Sequence, residues 1–220
     1  MTWILANLGL VGELAVEHLR QCIVPIVLGL VISVPLGWLA QRLPWTRGVV
    51  LVVTSLLYTI PSVALFALLP PLLGISYLSE LNLTIALTVY AVSLLVRSVV
   101  DGLDAVPAAV RLSATAVGFG DARRFWTVEL PLAFPVILAG LRVAAVSTIS
   151  LATVGVLIGV RNLGYLFTDG YERRIIGEIA IGIVAVVLLA LLIDLALRLA
   201  GRLAMPWTAV AARTRAEAAS

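Results

Sequence analysis

Five long apolar runs divide the chain into segments of membrane-spanning length, joined by short polar connections. They cover about residues 22–40, 49–69, 81–100, 132–160 and 179–199. Each is close to the roughly 20 residues that an α-helix needs to cross the apolar core of a bilayer. The runs lack the period-two alternation of barrel strands, and backbone groups in lipid must be paired within their own segment. The pattern therefore predicts an all-α integral membrane protein with about five transmembrane helices.

Polar residues interrupt the chain ahead of the first long run. Residues 1–21 contain two glutamates, a histidine and an arginine, and no basic region precedes an apolar stretch, which argues against a cleaved signal peptide. Leu5, Leu8 and Ala15 recur at helical spacing, so we expect an interfacial helix that lies on the membrane. Residues 22–204 then form the transmembrane domain, and residues 205–220 form a short cytoplasmic tail.

Composition and charge agree with a membrane protein and give it an orientation. The 220 residues are 62% hydrophobic and 12% charged, with a mean hydropathy of +1.14. All 15 basic residues are arginine, and short cytoplasmic loops carry the excess of positive charge. With the N-terminus outside, ten arginines fall inside and four outside. We therefore expect a multi-pass protein of the cell membrane whose C-terminus is cytoplasmic.

Few residues offer catalytic or metal-binding chemistry. His18 is the only histidine, and with Glu13 and Glu17 it is better interpreted as a polar boundary than as a metal site. Cys22 is the only cysteine, so it forms neither an internal disulfide nor, alone, a metal site. No phosphate-binding glycine loop is present, and no acidic pair clusters within the predicted helices. We expect no metal, no bound cofactor, no nucleic-acid binding and no enzymatic activity on this chain.

Charges inside the predicted helices need partners. Arg142 would cost roughly 2.5–3.5 kcal/mol at the centre of a lipid-exposed helix, so we expect it to face protein or the interface, with Asp101 or Asp104 as its partner. Asp194 is expected to reach the cytoplasmic interface, and Glu178 is expected at the external edge.

A polar stretch between the third and fourth runs, residues 111–135, has the character of a docking surface. Small residues lead to Gly118 and Gly120, which accept a positive φ without a Cβ penalty and so allow the chain to bend. Pro131 and Pro135 follow at the start of the next apolar run, where a first helical turn tolerates proline. We expect residues 111–121 to form a short helix with a hinge.

This stretch resembles the cytoplasmic loop of ABC importer permeases. The signature of that loop is roughly Glu-Ala-Ala, three residues, Gly, nine residues, a hydrophobic residue, any residue and Leu-Pro. Four positions stand in register with it: Gly118, Val128, Leu130 and Pro131. Leu112 holds the place of the family's Glu, and Ser113 and Ala114 hold the places of the two Ala.

Other stretches resemble the permeases that import osmoprotectants such as glycine betaine, carnitine, choline and proline. They are Pro-Leu-Gly at 35–37, Tyr-Thr-Ile-Pro-Ser at 58–62, residues 128–142 and residues 163–170. The likeness covers roughly residues 17–197. It implies the type I importer permease fold and a membrane subunit of an ATP-driven importer.

The resemblance also implies partners. In the family, the loop that corresponds to about residues 101–131, here named the coupling segment, lies in a groove of an ATP-binding cassette subunit, and that subunit holds ATP and Mg²⁺. An extracytoplasmic binding protein delivers the solute, and a second permease chain, identical or homologous, completes the pathway. We expect the two chains to pair through small residues of the fourth and fifth helices. The residues to which the resemblance assigns coupling are Arg111, Ser113, Ala114, Gly118, Gly120, Asp121, Leu130 and Pro131.

Tyr58, Pro61 and Tyr90 are candidates for the substrate pathway. A desolvated aromatic ring face attracts a quaternary ammonium by about 0.5–2 kcal/mol, and simple packing is the other interpretation of both tyrosines. Two other functions stay open at this point. The chain could be a permease for another small solute such as an amino acid, or it could be a secondary carrier or channel, which would leave the coupling segment without a role.

Overall fold

The computed structural model describes the backbone of residues 2–207 and the side chains of residues 7–207, and all regular elements in that part of the chain are helical. The all-α fold is therefore confirmed. In chain order the elements are α1 Thr2–Arg42, α2 Pro44–Thr59, α3 Ser62–Leu73, α4 Glu80–Asp104, α5 Ala108–Ala116, α6 Asp121–Arg124, a π-helical turn Phe125–Glu129, α7 Leu130–Ala152, a 3₁₀-helix Thr153–Ile158, α8 Tyr165–Glu172 and α9 Ile176–Ala204.

Helix α4 is the centre of the bundle, with α1 and α7 packed against it. Glycines allow these backbones to approach closely. A Cβ added at Gly102 would lie 2.9 Å from the carbonyl oxygen of Ala133, and one added at Gly140 would overlap Ser98. Gly201 of α9 likewise abuts Leu138 of α7. Gly140 and Gly201 therefore pack inside this chain, and the pairing of two chains through other small residues of the fourth and fifth helices stays a prediction.

Four helical segments of the described chain are long and apolar enough to cross a membrane: residues 7–42, 80–104, 121–158 and 176–204. The second predicted span is the exception. It is divided into α2 and α3, which meet at an angle of 108°. Pro61 stands at the break, where it lacks an N–H and disfavours helical backbone in the residue before it. The described residues therefore contain four candidate spans, or five if the bent pair crosses as one.

The N-terminal boundary differs from the prediction. Residue 21 was expected to end an interfacial helix, but α1 continues through it to Arg42, and the non-helical φ and ψ inside α1 occur at Asn7. His18 and Gln21 are buried, where they bond to the carbonyl oxygens of Ile149 and Arg161 at 2.9 and 3.1 Å. They interrupt the apolar pattern because they face protein. Of the predicted tail, residues 208–220 lie outside the described residues.

The partner of Arg142 also differs from the prediction. Its guanidinium binds Asp194 of α9 through two contacts, Nε to Oδ1 at 2.6 Å and Nη2 to Oδ2 at 3.3 Å. Asp104 instead pairs with Arg47 at 2.7 Å, since both lie where α2 passes the end of α4. Glu178, predicted at the external edge, is fully buried where α8 packs over the first turn of α9.

Candidate functional site

The coupling segment begins with α5, which ends in a turn that requires glycine. Gly118 has a φ of +90°, a left-handed backbone conformation that side chains with a Cβ rarely adopt. The amide of Phe119 donates to the carbonyl of Ala114 and that of Gly118 to the carbonyl of Thr115, both at 3.0 Å. These two bonds form a Schellman motif, which pairs carbonyls that the end of the helix leaves free.

The second predicted bend is absent. Gly120 has an extended backbone with φ −68° and ψ 162°, and it precedes a new helix that starts at Asp121. The predicted single helix over residues 111–121 is therefore two helices, α5 and α6, joined at Gly118. A negative charge at Asp121 suits this position because the N-terminus of a helix carries a partial positive charge.

A buried carboxylate joins these helices to the bundle. The Glu129 side chain is 4% exposed and lies at the end of the π-helical turn. Its Oε1 accepts from Arg124 Nε at 2.6 Å, and its Oε2 lies 3.7 Å from Arg111 Nε. Arg124 also donates to Thr115 Oγ1 at 2.9 Å. One carboxylate thus connects α5, α6 and the start of α7.

Two further contacts tie the same cluster to the ends of other helices. Arg111 donates to the carbonyl of Leu103 near the end of α4. Asp121 pairs with Arg42, the last residue of α1, and with Arg124 at 3.3 Å. The charged groups surround a cavity of about 330 Å³. The arginines and carboxylates that line it are Arg42, Arg111, Arg124, Asp104, Asp121 and Glu129, so positive and negative charges balance.

Helix α5 therefore has two different faces. Arg111 and Ala114 point inward, and Ala114 is buried. Leu112 and, beyond the helix, Val117 are 71% and 73% exposed, and Ser113 is exposed beside Leu112. This outer surface, residues 112, 113 and 117, has no packing partner among the residues that the structure describes.

Leu130 and Pro131 have a different position from the rest of the predicted coupling residues. Both are half-buried, and Leu130 packs against the apolar cluster that contains Val99, Leu103 and Phe125. They open α7 and fix it to the bundle. The structure thus brings Arg111 and Asp121 to the cavity that Glu129 also lines, while the turn at Gly118 joins α5 to α6, and Leu130 and Pro131 lie at the start of α7.

The three pathway candidates meet at the break between α2 and α3. The rings of Tyr58 and Tyr90 lie edge to face with centroids 6.0 Å apart. Tyr90 is 3% exposed, and its hydroxyl donates to the carbonyl of Ile60, which the bend at Pro61 removes from helical pairing. Tyr58 is 45% exposed. Only Tyr58 therefore presents an open ring, while Tyr90 stabilises the bend.

Sequence reasoning missed the roles of Glu129 and Arg124. Glu129 falls inside the matching stretch Val-Glu-Leu-Pro, yet a single charge there predicts no partner. It also missed Asn162, which donates to Gln21 Oε1 at 3.0 Å and to the carbonyl of Ala152 at 2.8 Å. Asn162 therefore holds the connection after the 3₁₀-helix against α1.

The helices, their break and the coupling segment define a membrane-embedded permease. Comparison with known proteins agrees, because residues 25–209 match the family model described as binding-protein-dependent transport system inner membrane component. The chain is 33% identical over 194 residues to the osmoprotectant import permease protein OsmW of Salmonella typhimurium, covering 87% of this chain and 90% of that one. It is 34% identical over 194 residues to the choline transport system permease protein OpuBB of Bacillus subtilis, covering 86% of each.

Solved structures show the same fold. The MetNI methionine ABC transporter, in an inward-facing conformation, matches with a TM-score of 0.74 and 21% identity over 90% of this chain and 96% of that one. The chain belongs to the family of binding-protein-dependent transport system inner membrane components. It is a multi-pass membrane protein, a permease subunit of the ABC importer class with the type I fold.

The Glu129 cluster yields a stability prediction. Glu129→Ala leaves two partly buried guanidiniums without their shared carboxylate. We expect the free energy of unfolding to fall by up to about 3 kcal/mol. This is the lower end of the range for a broken buried ion pair, because both arginines are partly exposed. Glu129→Gln keeps an acceptor and should lose less. Thermal unfolding of the detergent-purified protein measures both. Equal melting temperatures for Glu129→Ala and wild type would contradict the role of this carboxylate.

Proposed function

We propose that this chain imports a small osmoprotectant, a zwitterion or cation of the glycine betaine, carnitine, choline or proline type. The support is the similarity to permeases whose names give osmoprotectants and choline as their solutes. The apolar bundle agrees with a cargo that needs little compensating charge, since the described spans contain few ionisable residues. A permease for another small solute, such as an amino acid, is the second candidate.

The coupling segment is the proposed contact with an ATP-binding cassette subunit. The observation that carries this is the two-faced helix α5, whose inner face is fixed through Arg111 and Glu129 and whose outer surface at Leu112 and Val117 is exposed. A partner bound to the outer surface would move α5 and α6 together, and these two helices are bonded to α1, α4 and the start of α7. ATP and Mg²⁺ would be held by that partner.

The remaining assembly follows from the same proposal. A binding protein outside the cell would deliver the solute, and a second permease chain would complete the pathway. The coupling surface would face the cytoplasm with the N-terminus outside, which agrees with the excess of arginine on that side of the chain.

Gly118 gives a direct test of coupling. Gly118→Val places a β-branched side chain at a φ of +90°, a strain of about 1–3 kcal/mol, although a Cβ there would meet no neighbour within 4 Å. We expect the turn between α5 and α6 to be lost and ATP-dependent solute uptake to fall at least severalfold. Uptake is measured in proteoliposomes that contain the permease, its ATPase and its binding protein.

The matched control is Gly118→Asn, because asparagine tolerates the left-handed region better than other residues. It should retain most of the uptake. Gel filtration establishes that both variants assemble with the ATPase. Wild-type uptake and solute-stimulated ATPase activity in an assembled Gly118→Val complex would show that this turn is not part of coupling, and ATP-independent uptake would favour a secondary carrier or channel.

Tyr58 is proposed to contact the solute. Its ring is open, so Tyr58→Ala should reduce uptake of a quaternary ammonium about two- to thirtyfold, the equivalent of a lost cation–π contact. Tyr58→Phe keeps the ring face and should have little effect. Competition uptake assays with glycine betaine and proline measure both. Equal losses from the Ala and Phe variants would indicate a hydroxyl contact, and no loss from either would make Tyr58 a packing residue.

A further inference from the structure

A second arginine-lined cavity lies where α9 ends against α7. Its volume is about 330 Å³. The contact of Gly201 with Leu138 brings the two helices together beside it. The residues that line it are Leu138, Arg142, Arg198, Gly201, Arg202 and Met205.

The charges around this cavity are unbalanced. Asp194 is the carboxylate beside it, and both Arg142 and Arg198 bind it, the latter at 2.8 Å. Arg202 is exposed and makes no ion pair within the described part of the chain. Two of the three guanidiniums therefore share one carboxylate and the third has none, which leaves a net charge of about +2 at neutral pH because arginine stays protonated.

The other arginine-lined cavity provides an internal comparison. Beside the coupling segment each guanidinium is engaged by a carboxylate: Asp121 pairs with Arg42, Glu129 pairs with Arg111 and Arg124, and Asp104 pairs with Arg47. That cavity has little capacity left for an anion. The cavity at the end of α9 can bind an anion, because Arg202 has no carboxylate partner in the described part of the chain and the side chain of Arg198 is 54% exposed.

The surroundings of the cavity identify the kind of anion. Helix α7 starts at the end of the coupling segment. The contacts of Leu138 with Gly201 and of Arg142 with Asp194 show that α9 runs antiparallel to α7, so the cavity lies toward the same end of the bundle as the coupling segment. An apolar stripe on α9 leads away from it, with Leu195, Leu199 and Leu203 at 56%, 48% and 84% exposure. Their spacing of four residues places them on one helical face. A cationic cavity at the end of an exposed apolar stripe matches a molecule with an anionic head and an apolar tail.

We propose that this cavity binds the phosphate of an anionic phospholipid in the leaflet on the coupling side, with an acyl chain along the leucine stripe of α9. The planar guanidinium groups provide forked donors that match phosphate oxygens. Basic pockets between membrane helices on that side have the charge needed to hold such headgroups. This inference does not depend on which solute is carried.

Native mass spectrometry of the purified transporter complex tests the proposal. The probes are phosphatidylglycerol and phosphatidylcholine with identical acyl chains, supplied together in mixed micelles. We expect the wild type to retain phosphatidylglycerol in preference. Arg202→Gln should lower the retention of phosphatidylglycerol relative to phosphatidylcholine about fivefold. The double variant Arg198→Gln with Arg202→Gln should lower it about twentyfold or more. Both factors follow from the attraction that each basic residue contributes near an anionic surface.

The matched control is Arg97→Gln, which removes the same charge from an arginine that is 71% exposed and lies outside this cavity. It should retain phosphatidylglycerol as the wild type does. Equal retention by wild type and Arg202→Gln, or an equal loss in Arg97→Gln, would overturn the proposal. Loss of the preference for phosphatidylglycerol on addition of inorganic phosphate alone would also overturn it, because that result would indicate a site for a free anion. A changed number of permease chains with unchanged lipid would instead make this face a protein interface.

Discussion

The ion pairs of Glu129 are the constraint on which the end of the bundle that carries the coupling segment depends. A carboxylate that is 4% exposed is costly to bury unless it is paired, and Arg111 and Arg124 supply the compensation from two different helices. Because Glu129 immediately precedes α7, the cluster makes α5, α6 and the long helical segment over residues 121–158 a single mechanical unit. Any partner that displaces α5 must therefore move α7 or break these contacts.

That unit connects to the opposite end of the molecule through close packing. Helix α7 contacts α4 where Gly102 and Gly140 leave no space for a side chain. Closely packed helices contain few voids that could absorb a small displacement, so a shift of one helix is transmitted to the next. Tyr90 of α4 in turn holds the broken helix pair through the carbonyl of Ile60. The coupling segment and the exposed ring of Tyr58 are thus linked through contiguous contacts by way of α7 and α4.

Hydrophobic periodicity predicted the helical class and most of the spans, since a long apolar run has few alternatives in lipid. It failed where one residue changes the backbone or where a polar side chain is paired across the fold. Pro61 divides a run of adequate length, a bend that the proline itself predicts although the apolar pattern does not, and His18 is buried although it interrupts the pattern. The turn at Gly118 was predictable because only glycine fits it well, whereas Gly120 has an ordinary φ. The pairing of Arg142 with Asp194 spans 52 residues, and sequence spacing alone does not reveal it.

The contact between the outer surface of α5 and an ATPase subunit is the central claim, and site-specific photocrosslinking tests it most directly. A benzophenone side chain is introduced at Leu112 in the assembled complex, with Leu203, at 84% exposure on α9, as the control position. The account predicts an adduct with the ATPase from position 112 and none from position 203. An assembled complex in which position 112 yields no ATPase adduct, or in which both positions yield it equally, would contradict the account.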